Sequence, residues 1–460
     1  MLRFFPVAVA VLLSVSAADF GSGNIEVPVE NMKGPRNHLT QTKLSRNEVT
    51  ARTEFIADGR RAEAKDMTID RTEEKLSEEI TENNLQEFSV RQKILRITWG
   101  MIPSAVKYKI FYNGENYFSY TNGIEIPVDD FNHKIKITAL DYDGNILEEN
   151  VDVIETEESP TTPRTTTEFD KMAYPQIYPV YSWIPVRDAD HYEIELIKDG
   201  EIVRRFVTNY HPEEDNFDFY DTNAIIETGE YYWRVRGISA NGEALTGWSA
   251  KNAGNSFKVM TPTEYCAIGD SITHGGGSIS APPSTVLYNW ETYCDFPIKN
   301  LGKSGDTSAQ IVNRFDYDVL PFHPQILFVM AGVNDYRNNI FGWSSVMNLR
   351  EIKDRCALHG IRVVFITPTP INPHLIHKCN FVETPPSDWK EHQRFICDWI
   401  RDQENFIDIT EELTDSEGNL RADLTTDGLH PDAEGKKIIG RAVSDWLEKN
   451  LNAPQPSEEI

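Results

Sequence analysis

From Thr263 onwards, short apolar runs of strand type alternate with amphipathic helical stretches, and this alternation limits the fold more than any other feature of the chain. The runs are Glu264-Tyr-Cys-Ala-Ile268, Phe296-Pro-Ile-Lys-Asn300, Gln325-Ile-Leu-Phe-Val-Met330, Arg362-Val-Val-Phe-Ile-Thr367 and Phe406-Ile-Asp-Ile409. Helical periodicity covers Ser308 to Asp318, Ser344 to His359, Asp388 to Asp402 and Pro431 to Asn450. A strand that is apolar on both sides needs cover on both faces, and helices between such strands supply it. The pattern predicts parallel βαβ units in a doubly wound, three-layer α/β sheet over residues 261–452. In sheets of this kind the ligand crevice opens outside the carboxyl ends of the strands. The residues just after each run are therefore where chemistry is expected.

After the first run stands Gly269-Asp270-Ser271, which ends a buried strand in a turn and presents a hydroxyl and its own N–H to the crevice. After the second, within Ser304-Gly305-Asp306-Thr307-Ser308, Gly305 can turn an N–H towards the same space. After the third, Gly332-Val-Asn334-Asp335 offers the Asn334 amide to a developing oxyanion. Near the C-terminus Asp427-Gly-Leu-His430-Pro431 sets a carboxylate and an imidazole three residues apart on one loop. Asp427 can hold Nδ1–H of His430 while Nε2 faces Ser271, the base-and-orienter arrangement of nucleophilic catalysis. Each block alone is ordinary turn or helix-cap chemistry.

Together and in this order the four blocks resemble the SGNH (GDSL-like) hydrolase superfamily, over about Thr263 to Asn450. The resemblance implies a flavodoxin-like α/β fold and carboxylic ester hydrolysis with no metal and no organic cofactor. It implies Ser271 as nucleophile, His430 as general base and then acid, and Asp427 as the residue that orients His430. It also implies an oxyanion hole of the Ser271 N–H, the Gly305 N–H and the Asn334 amide. Beside this site the glycine-rich loop from His274 runs to Tyr288 and Trp290, two aromatics that can offer a platform to a sugar ring. The loop from Thr367 to Pro373 is expected to form another wall, and His374 and His377 after it are expected at the surface.

Upstream the period changes from helical to strand-like. Residues 88–155 hold short β-branched runs parted by Asn113-Gly114, Asn122-Gly123 and Asp143-Gly144, which predicts a small β-sandwich with Trp99 in its core. Residues 156–172 are rich in Thr and Pro and read as a stiff linker. Residues 173–260 predict a second sandwich. Its Trp183, the Tyr231-Tyr232 pair and Gly247-Trp-Ser249 resemble a fibronectin type III domain, with these aromatics expected in the core.

At the N-terminus one Arg, a short apolar run and then Ala17-Ala18 make residues 1–18 a secretory signal peptide, too short to span a bilayer comfortably. Residues 19–87 are polar, of mixed charge and without a sustained period, as expected of a disordered or weakly helical spacer, and residues 453–460 read as a flexible tail. The expected location is therefore outside the cytoplasm: secreted, periplasmic or at the cell surface. The 72 acidic against 45 basic side chains leave a net charge of -27, which disfavours nucleic acid and anionic lipid surfaces as partners. The five cysteines, all after residue 265, make no metal-ligand spacing, and their odd number leaves at least one thiol unpaired.

Export, accessory β modules and an acidic surface favour an esterase that deacetylates a polysaccharide, with glycan contact through the sandwiches. One alternative is a lysophospholipase-like or general short-acyl esterase or thioesterase. Another, from a different class, is an adhesion or glycan-binding protein carrying an inactive hydrolase scaffold.

Overall fold

The computed structural model describes residues 93–129, 134–208, 217–277, 279–378 and 384–451. The signal peptide, the spacer and the C-terminal tail expected from sequence lie outside the described residues, as does Cys379.

Seven strands build the first sandwich: β1 (Ile94–Trp99), β2 (Lys107–Tyr112), β3 (Glu115–Ser119), β4 (Gly123–Pro127), β5 (Lys136–Leu140), β6 (Ile146–Glu149) and β7 (Val153–Glu158). They form two sheets, ordered β4-β1-β7 and β3-β2-β5-β6. Alternating residues point inwards, so Leu95, Ile97, Trp99, Tyr108, Ile110 and Ile126 make a core of their own. Across the edge towards the next module, Arg96 is buried and bonded to Glu125 at 2.8 Å and Glu157 at 2.7 Å. Arg96 also donates to the Thr162 carbonyl, and the Arg187 N–H donates to Glu125 Oε2 at 2.9 Å.

The second sandwich follows with β8 (Val180–Ser182), β9 (His191–Lys198), β10 (Glu201–Val207), β11 (Asp218–Tyr220), β12 (Gly229–Ile238) and β13 (Ser256–Val259). Its sheets run β10-β9-β12-β13 and β11-β8. Trp183 and Trp233 are fully buried at its centre. The Thr/Pro segment before it is not a free linker. Ile184 N–H donates to the Arg164 carbonyl, Thr166 N–H to the Ser182 carbonyl, and Pro160, Pro163 and Thr167 are buried. Proline denies the segment a full strand ladder, yet its carbonyls and remaining N–H groups still pair along β8.

The C-terminal domain is a five-stranded parallel sheet, with β14 (Tyr265–Gly269), β15 (Ile298–Asn300), β16 (Ile326–Met330), β17 (Arg362–Ile366) and β18 (Phe406–Ile407) in the order β15-β14-β16-β17-β18. Its helices are α1 (Ser271–His274), α2 (Ser308–Asp318), α3 (Val333–Arg337), α4 (Gly342–Leu358), α5 (Pro373–Lys378), α6 (Trp389–Arg401), α7 (Thr410–Leu413) and α8 (Ala433–Leu451). The strand order reverses at β14, which puts the crevice at the carboxyl ends of β14 and β16.

The second sandwich and this domain share one continuous apolar core, running from Ile177, Trp183, Leu196 and Trp233 to Ile268, Leu327 and Val364. At the join, Ile177 N–H donates to the Asn300 carbonyl at 3.1 Å along the free side of β15. Lys299 Nζ, buried in the same seam, donates to the Pro175 carbonyl at 2.8 Å. Burial pulls the Lys299 ammonium down to about 8. Cys266, Cys294, Cys356 and Cys397 are unpaired thiols, and burial pushes Cys266, Cys356 and Cys397 up to about 12. They act as small apolar packing groups.

Candidate active site

Strand β14 ends at Gly269, where no side chain fits. A Cβ there would lie 2.3 Å from Thr273 Oγ1 and 2.5 Å from the Met330 carbonyl oxygen. This close approach lets the chain turn straight into α1, whose first residue is Ser271. Asp270 caps that helix by accepting the Ile272 N–H at 2.9 Å, and burial pushes its carboxyl up to about 7. The Ser271 N–H stands in the first turn, where a helix offers no acceptor of its own.

The turn after residue 424 supplies the partner. His430 Nε2 lies 3.0 Å from Ser271 Oγ, and His430 Nδ1 lies 2.7 Å from Asp427 Oδ2. Asp427 Oδ1 also accepts the Leu429 and His430 N–H groups, each at 2.8 Å. Burial alone would raise the Asp427 carboxyl. Attraction to His430 and these hydrogen bonds overcome it and hold the group below its ordinary value. A carboxylate so fixed favours the tautomer with hydrogen on Nδ1, which leaves Nε2 as the acceptor facing the hydroxyl.

Gly305 has φ of +87°, a conformation that favours glycine, and a Cβ there would meet nothing within 4 Å. The backbone conformation, not crowding, is what asks for glycine here. Asn334, in α3, donates Nδ2 to the Asp306 carbonyl at 2.9 Å, so the amide is fixed beside the Gly305 loop with a second N–H to spare. Asp335 next to it accepts Ser308 N–H at 2.8 Å and Ser345 Oγ at 2.9 Å, tying the two loops together. Beneath them Arg314 donates to Asp306, Asp318 and the carbonyls of Leu301 and Gly269. Five residues read from the sequence thus meet at one end of the sheet: Ser271, Gly305, Asn334, Asp427 and His430.

The aromatic platform is not there. Tyr288 is 2% exposed and Trp290 is fully buried, so neither ring has a face to offer a sugar. Tyr288 packs against the backbone of Gly277, and its hydroxyl accepts the Ser104 N–H from the first sandwich. The Trp290 backbone carbonyl lies against Gly440 of α8. Both hold the long loop down. His374 is exposed, as expected, and the side chain of His377 lies outside the described residues.

Sequence reasoning missed His274, three residues after Ser271 and fully buried. Its Nε2 lies 2.6 Å from the Tyr178 carbonyl oxygen and its Nδ1 lies 2.8 Å from Ser304 Oγ. A carbonyl only accepts, so Nε2 carries the hydrogen and Nδ1 accepts from the Ser304 hydroxyl. Burial pulls this imidazole down to about 4, which keeps it neutral. His274 thereby links the second sandwich to the residue just before Gly305. The signal was its place three residues after Ser271. Its partner, a backbone carbonyl 96 residues upstream, has no trace in sequence.

Residues 267–438 match the model of the GDSL-like Lipase/Acylhydrolase family. Similar solved structures include a GDSL-like lipase from Bacteroides thetaiotaomicron, at 21% identity, 41% of this chain, 89% of that one and a TM-score of 0.34. A lipase/acylhydrolase from Enterococcus faecalis is 22% identical over 42% of this chain and all of that one, with a TM-score of 0.34. A catalytic mutant of an acetylxylan esterase from Geobacillus stearothermophilus is 18% identical over 42% and 96%, with a TM-score of 0.31. No curated protein matches the chain.

Proposed function

We propose, from the premise that the C-terminal domain is a GDSL-like acylhydrolase domain and the protein an SGNH-type ester hydrolase, that it is an exported serine esterase removing acetyl groups from a polysaccharide. One observation carries the catalytic part: the unbroken chain from Asp427 through His430 to Ser271, at 2.7 and 3.0 Å. His430 Nε2 takes the Ser271 proton as Oγ attacks the ester carbonyl. The oxyanion that forms accepts from the N–H groups of Ser271 and Gly305 and from Asn334 Nδ2. As the tetrahedral intermediate collapses, the bond from the acyl carbon to the sugar oxygen breaks, His430 gives its proton to that oxygen so that the sugar leaves as an alcohol, and water repeats the sequence on the acyl-enzyme. Asp427 stabilises the imidazolium in both halves.

The acetyl preference rests on the loops that carry the donors. Gly302, Ser304, Gly305, Asp306, Gly332 and Asn334 are small or polar and bring no long apolar side chain for an extended acyl group. The second sandwich is fibronectin type III-like in this reading, and the leader directs export with cleavage after Ala17 or Ala18. N-terminal sequencing of protein recovered from outside the cytoplasm tests that cleavage.

Acetate release from acetylated xylan, measured beside 4-nitrophenyl acetate hydrolysis, tests the rest. Wild type is expected to release acetate, and Ser271→Ala to lose about 10⁶-fold in rate on both substrates. Activity that rises along a series from acetyl to longer acyl esters would turn the substrate assignment towards lipids. Full turnover by Ser271→Ala would end the triad reading.

A further inference from the structure

The loop between β1 and β2 of the first sandwich, residues 100–106, reaches the catalytic domain beside the turn that carries Asp427 and His430. Ser104 sits on this loop with φ of +63°, a region that residues other than glycine seldom occupy. Three bonds from outside its own sandwich hold it there. Ser104 N–H donates to the Tyr288 hydroxyl oxygen at 3.1 Å. Ser280 Oγ donates to the Ala105 carbonyl at 2.5 Å. Ser104 Oγ donates to Asp432 Oδ2 at 2.8 Å.

Asp432 stands two residues after His430. The oxygen that accepts from Ser104 also accepts Thr426 Oγ1 at 2.9 Å. Thr426 and Asp432 bracket the turn, so this carboxylate ties its two ends. The rest of the turn is closed by Thr425 Oγ1 to the His430 carbonyl and Asp432 N–H to the Leu424 carbonyl, each at 2.8 Å. The other oxygen, Asp432 Oδ1, is buried with no hydrogen-bond partner among the described residues. Two hydroxyls therefore support the Asp432 carboxylate through Oδ2, and one of them belongs to a different module. Burial raises this carboxyl above its ordinary value, so losing a donor brings its protonation nearer to working pH.

We infer that Ser104 is a positioning residue of the active site, acting through Asp432 on the turn that sets His430 against Ser271. The inference rests on the triad reading above. Catalytic groups tolerate little displacement, and a shift of about 1 Å can cost about 10²-fold in rate. One hydroxyl on one end of the turn should matter less, by about tenfold.

The experiment uses the full chain and Ser104→Gly, which accepts the positive φ and removes the side chain that carries the hydroxyl. With 4-nitrophenyl acetate, kcat is expected to fall about tenfold while KM stays within about twofold. The loss is expected to grow as the pH is lowered, because without the Ser104 donor the Asp432 carboxyl is raised further. Ser104→Asn tolerates the same backbone and returns a donor, so it should recover most of the loss. In an Asp432→Ala background, Ser104→Gly should cost nothing further, because both act on one contact. Kinetics of Ser104→Gly within about twofold of wild type, or losses that multiply in the double variant, would overturn the inference. Ser271→Ala runs alongside: if it keeps full turnover, the triad reading falls and takes this one with it.

Discussion

The two β-sandwiches are built from similar strands and meet the catalytic domain in opposite ways. The second is continuous with it: Ile177, Trp183 and Trp233 belong to the same apolar cluster as Ile268 and Leu327. The first keeps a separate core around Trp99, Tyr108 and Ile110. It touches the catalytic loops through Ser104 and Ala105, by hydrogen bonds. A shared apolar core couples folding, because neither part can open without exposing the surface of the other. Directional polar contacts couple geometry and leave each core to fold alone. One module is thus part of the catalytic domain's stability, and the other bears on its alignment.

Core truncations give the strongest test of that contrast. Trp183→Ala and Trp99→Ala should each cost about 3–5 kcal/mol in their own cores. Calorimetry of Trp183→Ala is expected to show the catalytic domain melting earlier together with the second sandwich. In Trp99→Ala the catalytic transition should stay put, with hydrolysis reduced only by what the Ser104 contact supplies. A single transition shifted equally by both variants would erase the distinction.

A smaller effect sits at His274, where the second sandwich reaches the loop of Ser304 and Gly305. His274→Ala frees Ser304 beside Gly305 and is expected to lower kcat by about 10²-fold, with KM little changed. The histidine also has a pH signature. Its folded value is about 4 against an ordinary 6.5, so between these values the unfolded chain binds more protons. Stability should therefore fall as pH drops from about 6.5 to 4, and denaturant titrations of His274→Ala should show a shallower slope across that window.

Lys299 probes the seam with the least expected change. Its folded value near 8 lies below the ordinary 10.5, so the cost of burying its charge is present below pH 8 and fades towards 10.5. The stability of wild type relative to Lys299→Met should rise with pH across that interval. A flat difference would mean that the ammonium is solvated and the seam is looser than its hydrogen bond to Pro175 implies.

The sheet and the polar blocks at its strand ends were legible for a physical reason. Buried parallel strands leave unbroken apolar runs, and their ends are the places where short polar motifs stand out. Strand β4 and helix α2 fall on the expected residues, Gly123 to Pro127 and Ser308 to Asp318. What could not be read is how loops distant in sequence pack on each other. Tyr288 and Trp290 sit in a glycine-rich loop, and composition cannot say whether an aromatic there faces solvent or the backbone of Gly277. The Thr/Pro stretch reads as free because its pairing is made by backbone N–H and carbonyl groups, which leave no mark on residue type. Ser104 meets Asp432 across 328 residues and leaves no local pattern in either place.

The pairing of Ile177 with Asn300 also affects how these molecules treat one another. Strand β15 is the outermost of its sheet, and an uncovered outer strand is a template on which a second chain can add a strand. The segment that carries Ile177 lies along that margin and is held there by the body of the second sandwich. A catalytic domain cut free at Thr263 would lose this cover and offer a row of unpaired backbone groups to its neighbours. Its lifetime in solution would then be set by concentration as much as by temperature.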